Sequence, residues 1–244
     1  MISEGMDSER LPNLLVRMLK EQGEAVRDSA FALSGGIDSS LLYIAIGKRN
    51  HAYSIGTEGS QDFAYADALC RFLGTTLNKV TVNEDDILEA SSIVKKIDPE
   101  IHFLDLGFET VLALLLSNIR EDSLVTGQGA DEIFYGYAKF SDGREENNLK
   151  SLTKLNSVTL PRERKIADYF GKTLIAPYMQ NGIPEYFSGL HRNIHSSGEK
   201  NKIILREAGR MEGLPEKIFS RNKKAAQYGS GIKKIQERLG LKQW

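Results

Sequence analysis

The chain has 244 residues, 41% of them hydrophobic and 27% charged, long enough to bury a substantial core without a disulfide or metal staple and unlike a disordered chain in composition. Its 32 Lys and Arg against 33 Asp and Glu leave a net charge of −1, which excludes nucleic-acid binding driven by bulk charge. The single cysteine, Cys70, excludes an internal disulfide, a four-cysteine zinc site and a CxxC redox pair; no secretory leader pattern opens the sequence and no apolar run approaches the roughly 18 residues of a membrane span, so a cytoplasmic protein with no membrane partner is expected.

Leu14, Leu15, Met18 and Leu19 fall at helical spacing and predict a helix over about 8–21, with Gly23 as its stop. Ser29–Leu33 is a short apolar run ended by Ser34-Gly35-Gly36, the pattern of a buried strand. A helix follows from Asp38 toward Gly47. The alternation then repeats: strand 52–56, helix 62–73, strand 76–82, helix 85–96, an apolar helix 108–119 and strand 123–126. Strands alternating with helices predict an α/β fold, a parallel sheet covered by helices on both faces. After about Tyr137 the character changes. Residues 141–148 read as a polar loop, and helical patterns follow at 160–169, 183–190, 202–211 and 232–239, with no clear strand. The expected organisation is an N-terminal helix (1–24), an α/β core (25–145) and a C-terminal helical region (146–244).

Two glycine-bearing turns carry the chemistry. The first is Ser34-Gly35-Gly36-Ile37-Asp38-Ser39-Ser40. A strand, a glycine turn and a helix start place free backbone N–H groups and the positive end of the helix dipole toward an anion. The glycines permit close backbone approach, and the serines add hydroxyl donors. The turn is neither GxxxxGK[ST] nor GxGxxG. The second is Thr126-Gly127-Gln128-Gly129-Ala130-Asp131-Glu132, which follows the fourth predicted strand and so should emerge at the same sheet edge, with carboxylates suited to a metal ion.

The first string resembles the SGGxDS pyrophosphate loop of the ATP-pyrophosphatase, or PP-loop, superfamily, whose fold is adenine nucleotide alpha hydrolase-like. The second, continuing to Phe134-Tyr135-Gly136-Tyr137, resembles the GEGxDExFxGY signature of the asparagine synthetase family, with Gln128 in place of its glutamate. The resemblance implies an ATP-dependent C–N ligase that adenylates a carboxylate, aspartate first among candidates, releases pyrophosphate and passes the acyl group to ammonia or an amine. It implies that Leu33, Ser34, Gly35, Gly36, Asp38, Ser39, Ser40, Ile55, Thr126 and Gly127 hold ATP and its pyrophosphate, and that Asp38 and Asp131 hold Mg²⁺. The family's K-x-x-L-R run recurs at Lys202–Arg206, then Leu214-Pro215, then Arg221-Asn222-Lys223, which places Lys223 on the family's catalytic lysine, beside Asp38 and Asp131. Ile175–Gln180 matches a segment ending in aspartate in the family, so Gln128 and Gln180 are the expected acceptor-pocket residues. Lys233, Lys234 and Lys242 read instead as a solvated basic helix end.

The glutaminase domain of full asparagine synthetases is expected to be absent: Met1 is followed by Ile2, and the cysteine stands at 70. Nitrogen would then come from free ammonia, an amine, or a separate glutaminase subunit. A homodimer is a further partner to consider. Nucleic acid is not expected as a partner. The competing readings are a non-catalytic ATP-binding subunit, suggested by the amides at 128 and 180, and a sulfur-transfer or RNA-modifying PP-loop enzyme. The latter would usually need a reactive cysteine.

Overall fold

The computed structural model describes residues 7–137, 140, 148–197, 201–221 and 226–243. Helix α1 (Asp7–Lys20) precedes β1 (Ala30–Ala32). Then come α2 (Ile37–Leu42), continued by a π-helical turn over Tyr43–Gly47, β2 (Ala52–Gly56), α3 (Gln61–Leu73), β3 (Leu77–Thr81), α4 (Glu84–Ile97), α5 (Phe103–Asn118) and β4 (Ser123–Val125). Beyond β4 lie α6 (Ala130–Ile133), α7 (Leu149–Lys154) with a π-helical turn over Leu155–Thr159, α8 (Leu160–Tyr169) and β5 (Thr173–Ile175). The chain ends through α9 (Ile183–Phe187), α10 (Arg192–His195), α11 (Ile203–Met211), α12 (Glu216–Phe219), α13 (Ala226–Gly229) and α14 (Ile232–Arg238).

The sheet has five parallel strands in the order β3-β2-β1-β4-β5. Side chains alternate along β1 as the pleat requires: Phe31 and Leu33 enter one core, with α1, α2, α3 and α11, while Ala30 joins the other, with α4, α5 and Ile166 of α8. Both faces are therefore covered, as the alternating sequence pattern predicts. The strand order reverses between β1 and β4. The chain runs outward from β1 to β2 and β3, then returns to β4 on the other side of β1, as right-handed parallel crossovers require when helices cover both faces. At such a reversal the loops after the two central strands part, and ligands bind in the opening. The register pairs Phe31 with both Ala52 and Val125, so the loops that begin at Leu33 and Thr126 leave the sheet at one level.

The predicted elements match the observed ones closely up to β4, although α5 begins five residues before the predicted start, at Phe103. The C-terminal half differs. The expectation of no strand there is corrected by β5, whose Leu174 pairs with Leu124. Three residues beside a proline leave no alternation to read, and the strand exists because the exposed edge of β4 accepts it. Lys233 is a second correction. It is 2% exposed, donates to the Phe103 carbonyl at 3.1 Å and lies over the Phe103 ring, so it is a buried packing residue and not part of a solvated helix end.

The outer layer is tied to α5 by a buried charge cluster. Arg162 of α8 donates to Glu109 at 2.8 Å, to Asp98 at 3.0 Å and to Asp105 at 3.3 Å. Glu109 is fully buried. Burial pushes its carboxyl up to about 7, against the pull of Arg162. Replacing Arg162 by Met should cost about 1–3 kcal/mol in urea unfolding at pH 8, because it removes the donor of the buried Glu109 carboxyl, which is ionised above about 7 in the wild type. The sign of the pH effect follows from the raised pKa: the folded state holds the Glu109 proton more tightly, so the group's stabilisation is complete below the unfolded carboxyl's pKa and is lost as pH rises through about 7. Glu109→Gln should therefore gain stability relative to wild type between pH 5 and 8; a difference that shrinks over that range contradicts the assignment.

Candidate functional site

A cavity of about 650 Å³ opens at the strand reversal, lined by both glycine turns and by residues from α5, α7, α8, α11 and α13. The first turn is held by its own serines. Ser34 Oγ accepts from the Gly36 N–H at 3.3 Å, and Ser39 Oγ lies 3.3 Å from Ser34 Oγ and donates to the Gly36 carbonyl at 3.3 Å. Gly35 has φ +70°, and a Cβ there would fall 2.7 Å from the Ala66 amide nitrogen of α3, so the turn can be this tight only with glycine. Leu33, Ser34, Gly36, Asp38, Ser39, Ile55, Thr126, Gly127, Gln128 and Asp131 all line the cavity. The resemblance also pointed to Gly35 and Ser40, which are buried behind the lining.

The two turns meet at a lysine that sequence reading left out of the site. Lys202, at the entry to α11, is 1% exposed. Its Nζ donates to Asp38 Oδ1 at 2.7 Å and Oδ2 at 2.5 Å, and lies 2.6 Å from Asp131 Oδ1. Burial alone would lower the Lys202 ammonium pKa; the Asp131 and Asp38 carboxylates outweigh that and raise it. The residue takes a left-handed backbone conformation, φ +55°, with Asn201 Nδ2 donating to the Gly136 carbonyl at 3.1 Å. Gly136 is the second position that requires glycine, since a Cβ there would collide with Lys202 Cε and the Asp131 carboxylate. The signal was present in the sequence, as the first residue of the K-x-x-L-R run, but only the fold turns it inward.

Two further cations face the cavity. Arg221 donates to the Ser34 carbonyl at 2.8 Å and to the buried Asp62 at 2.8 Å, with its guanidinium 4.0 Å from the Tyr65 ring centroid. Arg206 donates to the carbonyls of Asn201 and Phe219, and burial lowers its pKa. Lys223 lies outside the described residues. Gln180 is exposed and is not part of the cavity lining, so the fold does not join it to Gln128. Gln128 Nε2 instead donates at 2.6 Å to Glu163, a buried carboxyl group of α8 to which sequence reading gave no role in the site. Nearby, Tyr137 donates to Glu132 at 2.5 Å, and burial followed by the charges of Glu132 and Asp131 drives its phenol pKa up.

Asp38 and Asp131 thus converge on one cation position from two adjacent strands, and Lys202 fills it. Hard carboxylate oxygens suit Mg²⁺. Among the described residues no group of three His, Cys, Asp or Glu side chains forms a metal cluster, so two protein carboxylates would be completed by phosphate and water oxygens, the usual Mg²⁺ arrangement. Lys202→Met should destabilise the protein by about 1–3 kcal/mol, less than a fully buried pair because both carboxylates retain some solvent contact. Millimolar Mg²⁺ should then raise the variant's melting midpoint more than the wild type's, since the ammonium no longer competes for the position; equal shifts would argue against a shared cation position.

The sequence matches the asparagine synthase family model over residues 10–156 and 146–244. A glutamine-hydrolyzing asparagine synthetase so assigned in Methanocaldococcus jannaschii is 30% identical, across 83% of this chain and 46% of that one. The root asparagine synthetase of Pisum sativum is 26% identical, across 74% of this chain and 33% of that one. The chain spans about half the length, or less, of these curated relatives. Among solved structures, the NMN synthetase of Francisella tularensis superposes with a TM-score of 0.48 at 13% identity, over 98% of this chain and 88% of that one, a likeness too loose to add to what the sheet order says. With both halves of the family pattern present and its two carboxylate-bearing turns brought together at one sheet edge, the chain belongs to the asparagine synthase family.

Proposed function

We propose that the protein is an ATP-dependent C–N ligase that activates a carboxylate, aspartate being the first candidate, as an acyl-adenylate, releases pyrophosphate and transfers the acyl group to nitrogen. The observation that supports this most is the convergence of Asp38 and Asp131 on one cation position beneath the Ser34–Ser39 turn. In this reading the Ser34, Gly36 and Ser39 donors cradle the β- and γ-phosphates. Adenine lies toward Leu33 and Ile55 at the ends of β1 and β2, and Thr126 Oγ1, buried with no hydrogen-bond partner among the described residues, offers the nucleotide a hydrogen bond. Asp38 and Asp131 would hold Mg²⁺, which would supply charge neutralisation for the departing pyrophosphate, and Lys202 would stand beside the phosphates as a second positive charge. Arg206 and Arg221 add to the positive rim. Lys223 meets the charge that develops on the α-phosphate and on the tetrahedral intermediate.

The thiol alternative has less support. Cys70 is 1% exposed within α3, and burial pushes its thiol up, the opposite of an activated nucleophile.

Incubation with ATP, Mg²⁺, aspartate and ammonia should yield AMP, pyrophosphate and asparagine. AMP without asparagine would retain the ligase class and reject aspartate; no AMP with a broad panel of carboxylic acids would reject the class. Asp131→Asn and Lys223→Ala should each lower AMP formation by about 10²–10³-fold. Lys223→Ala should still bind ATP in equilibrium dialysis, which separates a catalytic lysine from a binding one.

A further inference from the structure

Arg206, in the first turn of α11, carries a guanidinium whose N–H groups all find acceptors in the protein itself. Nε donates to the Asn201 carbonyl at 2.8 Å, and Nη2 donates to Asn201 Oδ1 at 3.3 Å and to the Arg221 carbonyl at 3.4 Å. Nη1 donates to the Phe219 carbonyl and, at 3.4 Å, to the Arg221 carbonyl. Every one of these acceptors is neutral, and among the described residues no carboxylate pairs with the side chain. Burial lowers its pKa, and the Asp38 charge offsets that only in part. A cation placed to bind phosphate keeps donors turned toward the ligand. Arg206 lines the cavity, so its charge adds to the rim, but its donors are spent on the chain.

The fork joins the two segments whose cations touch the phosphate- and metal-suited turns. Asn201 and Lys202 lead into α11. Asn201 Nδ2 donates to the Gly136 carbonyl at 3.1 Å, and Lys202 reaches Asp38 and Asp131. Lys202 sits at φ +55°, a left-handed conformation that a residue with a Cβ keeps only where its surroundings hold it. The second segment, Phe219–Arg221, lies at the end of α12. Arg221 Nη1 donates to the Ser34 carbonyl at 2.8 Å and Nη2 to Asp62 at 2.8 Å, with the Tyr65 ring against the guanidinium. Ser34 in turn holds the Gly36 N–H of the first turn. Loss of Arg206 unties the two cations from one another while leaving each its own carboxylate partner.

We propose that Arg206 is a positioning residue: its fork fastens Asn201–Lys202 to Phe219–Arg221 and so sets how Lys202 and Arg221 meet the triphosphate of the nucleotide, without itself touching a phosphate. The assignment rests on the nucleotide reading above for its ligand, and on the hydrogen bonds alone for the coupling. Shape, more than charge, is what the position requires. Lysine keeps the charge, but its ammonium is a single compact donor that cannot span three backbone carbonyls and a side-chain amide.

The test uses the full chain, with ATP and AMP as probes in equilibrium dialysis in the presence of Mg²⁺. Arg206→Gln and Arg206→Lys should each weaken ATP by about tenfold or more and leave AMP, which lacks the β- and γ-phosphates, within about twofold of wild type. A purely structural role would weaken both nucleotides together, and a direct phosphate contact would survive in the lysine variant. A second measurement needs no nucleotide and guards against a folding defect. In urea unfolding, Lys202→Met should move the midpoint in an Arg206→Gln background by no more than about half of its shift in the wild-type background, because coupled residues give non-additive cycles. Wild-type ATP affinity in both variants, affinity retained in Arg206→Lys alone, equal loss of ATP and AMP, or an additive cycle would each overturn the proposal. If the wild type binds neither nucleotide and the cycle is non-additive, the nucleotide reading fails and the tie from Arg206 to Lys202 stands.

Discussion

The organising constraint of this molecule is a charge balance at the sheet's strand reversal. Two carboxylates, Asp38 and Asp131, are brought within hydrogen-bonding reach of one point by loops that leave adjacent parallel strands at the same level. Like charges that close repel, and partial burial sharpens the repulsion. The fold answers with an ammonium that is itself almost wholly buried. Lys202 is placed by the left-handed entry to α11, and space for it is kept by Gly136. The chain after β5 therefore completes this ion triad, because it supplies Lys202.

The same logic of buried charge runs outward through α8. Arg162 neutralises three carboxylates contributed by the chain from the end of α4 through α5, and the next residue, Glu163, faces the cavity. One turn of helix therefore both fastens the outer layer and sets a carboxyl group in the cavity wall. Gln128, the amide at the signature's glutamate position, donates to Glu163 at 2.6 Å and so joins the second turn to α8.

Much was legible in the residues themselves. The repeating strand–turn–helix pattern through residue 125 reflects burial on both sheet faces, which writes short apolar strands and amphipathic helices into any chain that adopts it. The Ser34–Ser40 and Thr126–Glu132 turns announce themselves because close backbone approach demands glycine, and glycine beside serine or aspartate at a strand end has few other uses. The C-terminal half was less legible. β5 is three residues long and owes its existence to an open sheet edge, and Lys233 sits in a run of charges that gives no sign that Phe103 will cover it.

The sequence by itself determined the parallel α/β architecture, the two phosphate- and metal-suited turns and the family, because each rests on local pattern: hydrophobic period, glycine position and the order of short motifs. Only the tertiary structure decided that Lys202 is the ion between Asp38 and Asp131, that Gln180 stands apart from the cavity, and that Glu163 of α8 meets Gln128 in the cavity. Those facts depend on residues far apart in the chain meeting across a strand reversal. No local pattern records which distant side chain will be nearest once the apolar faces have closed.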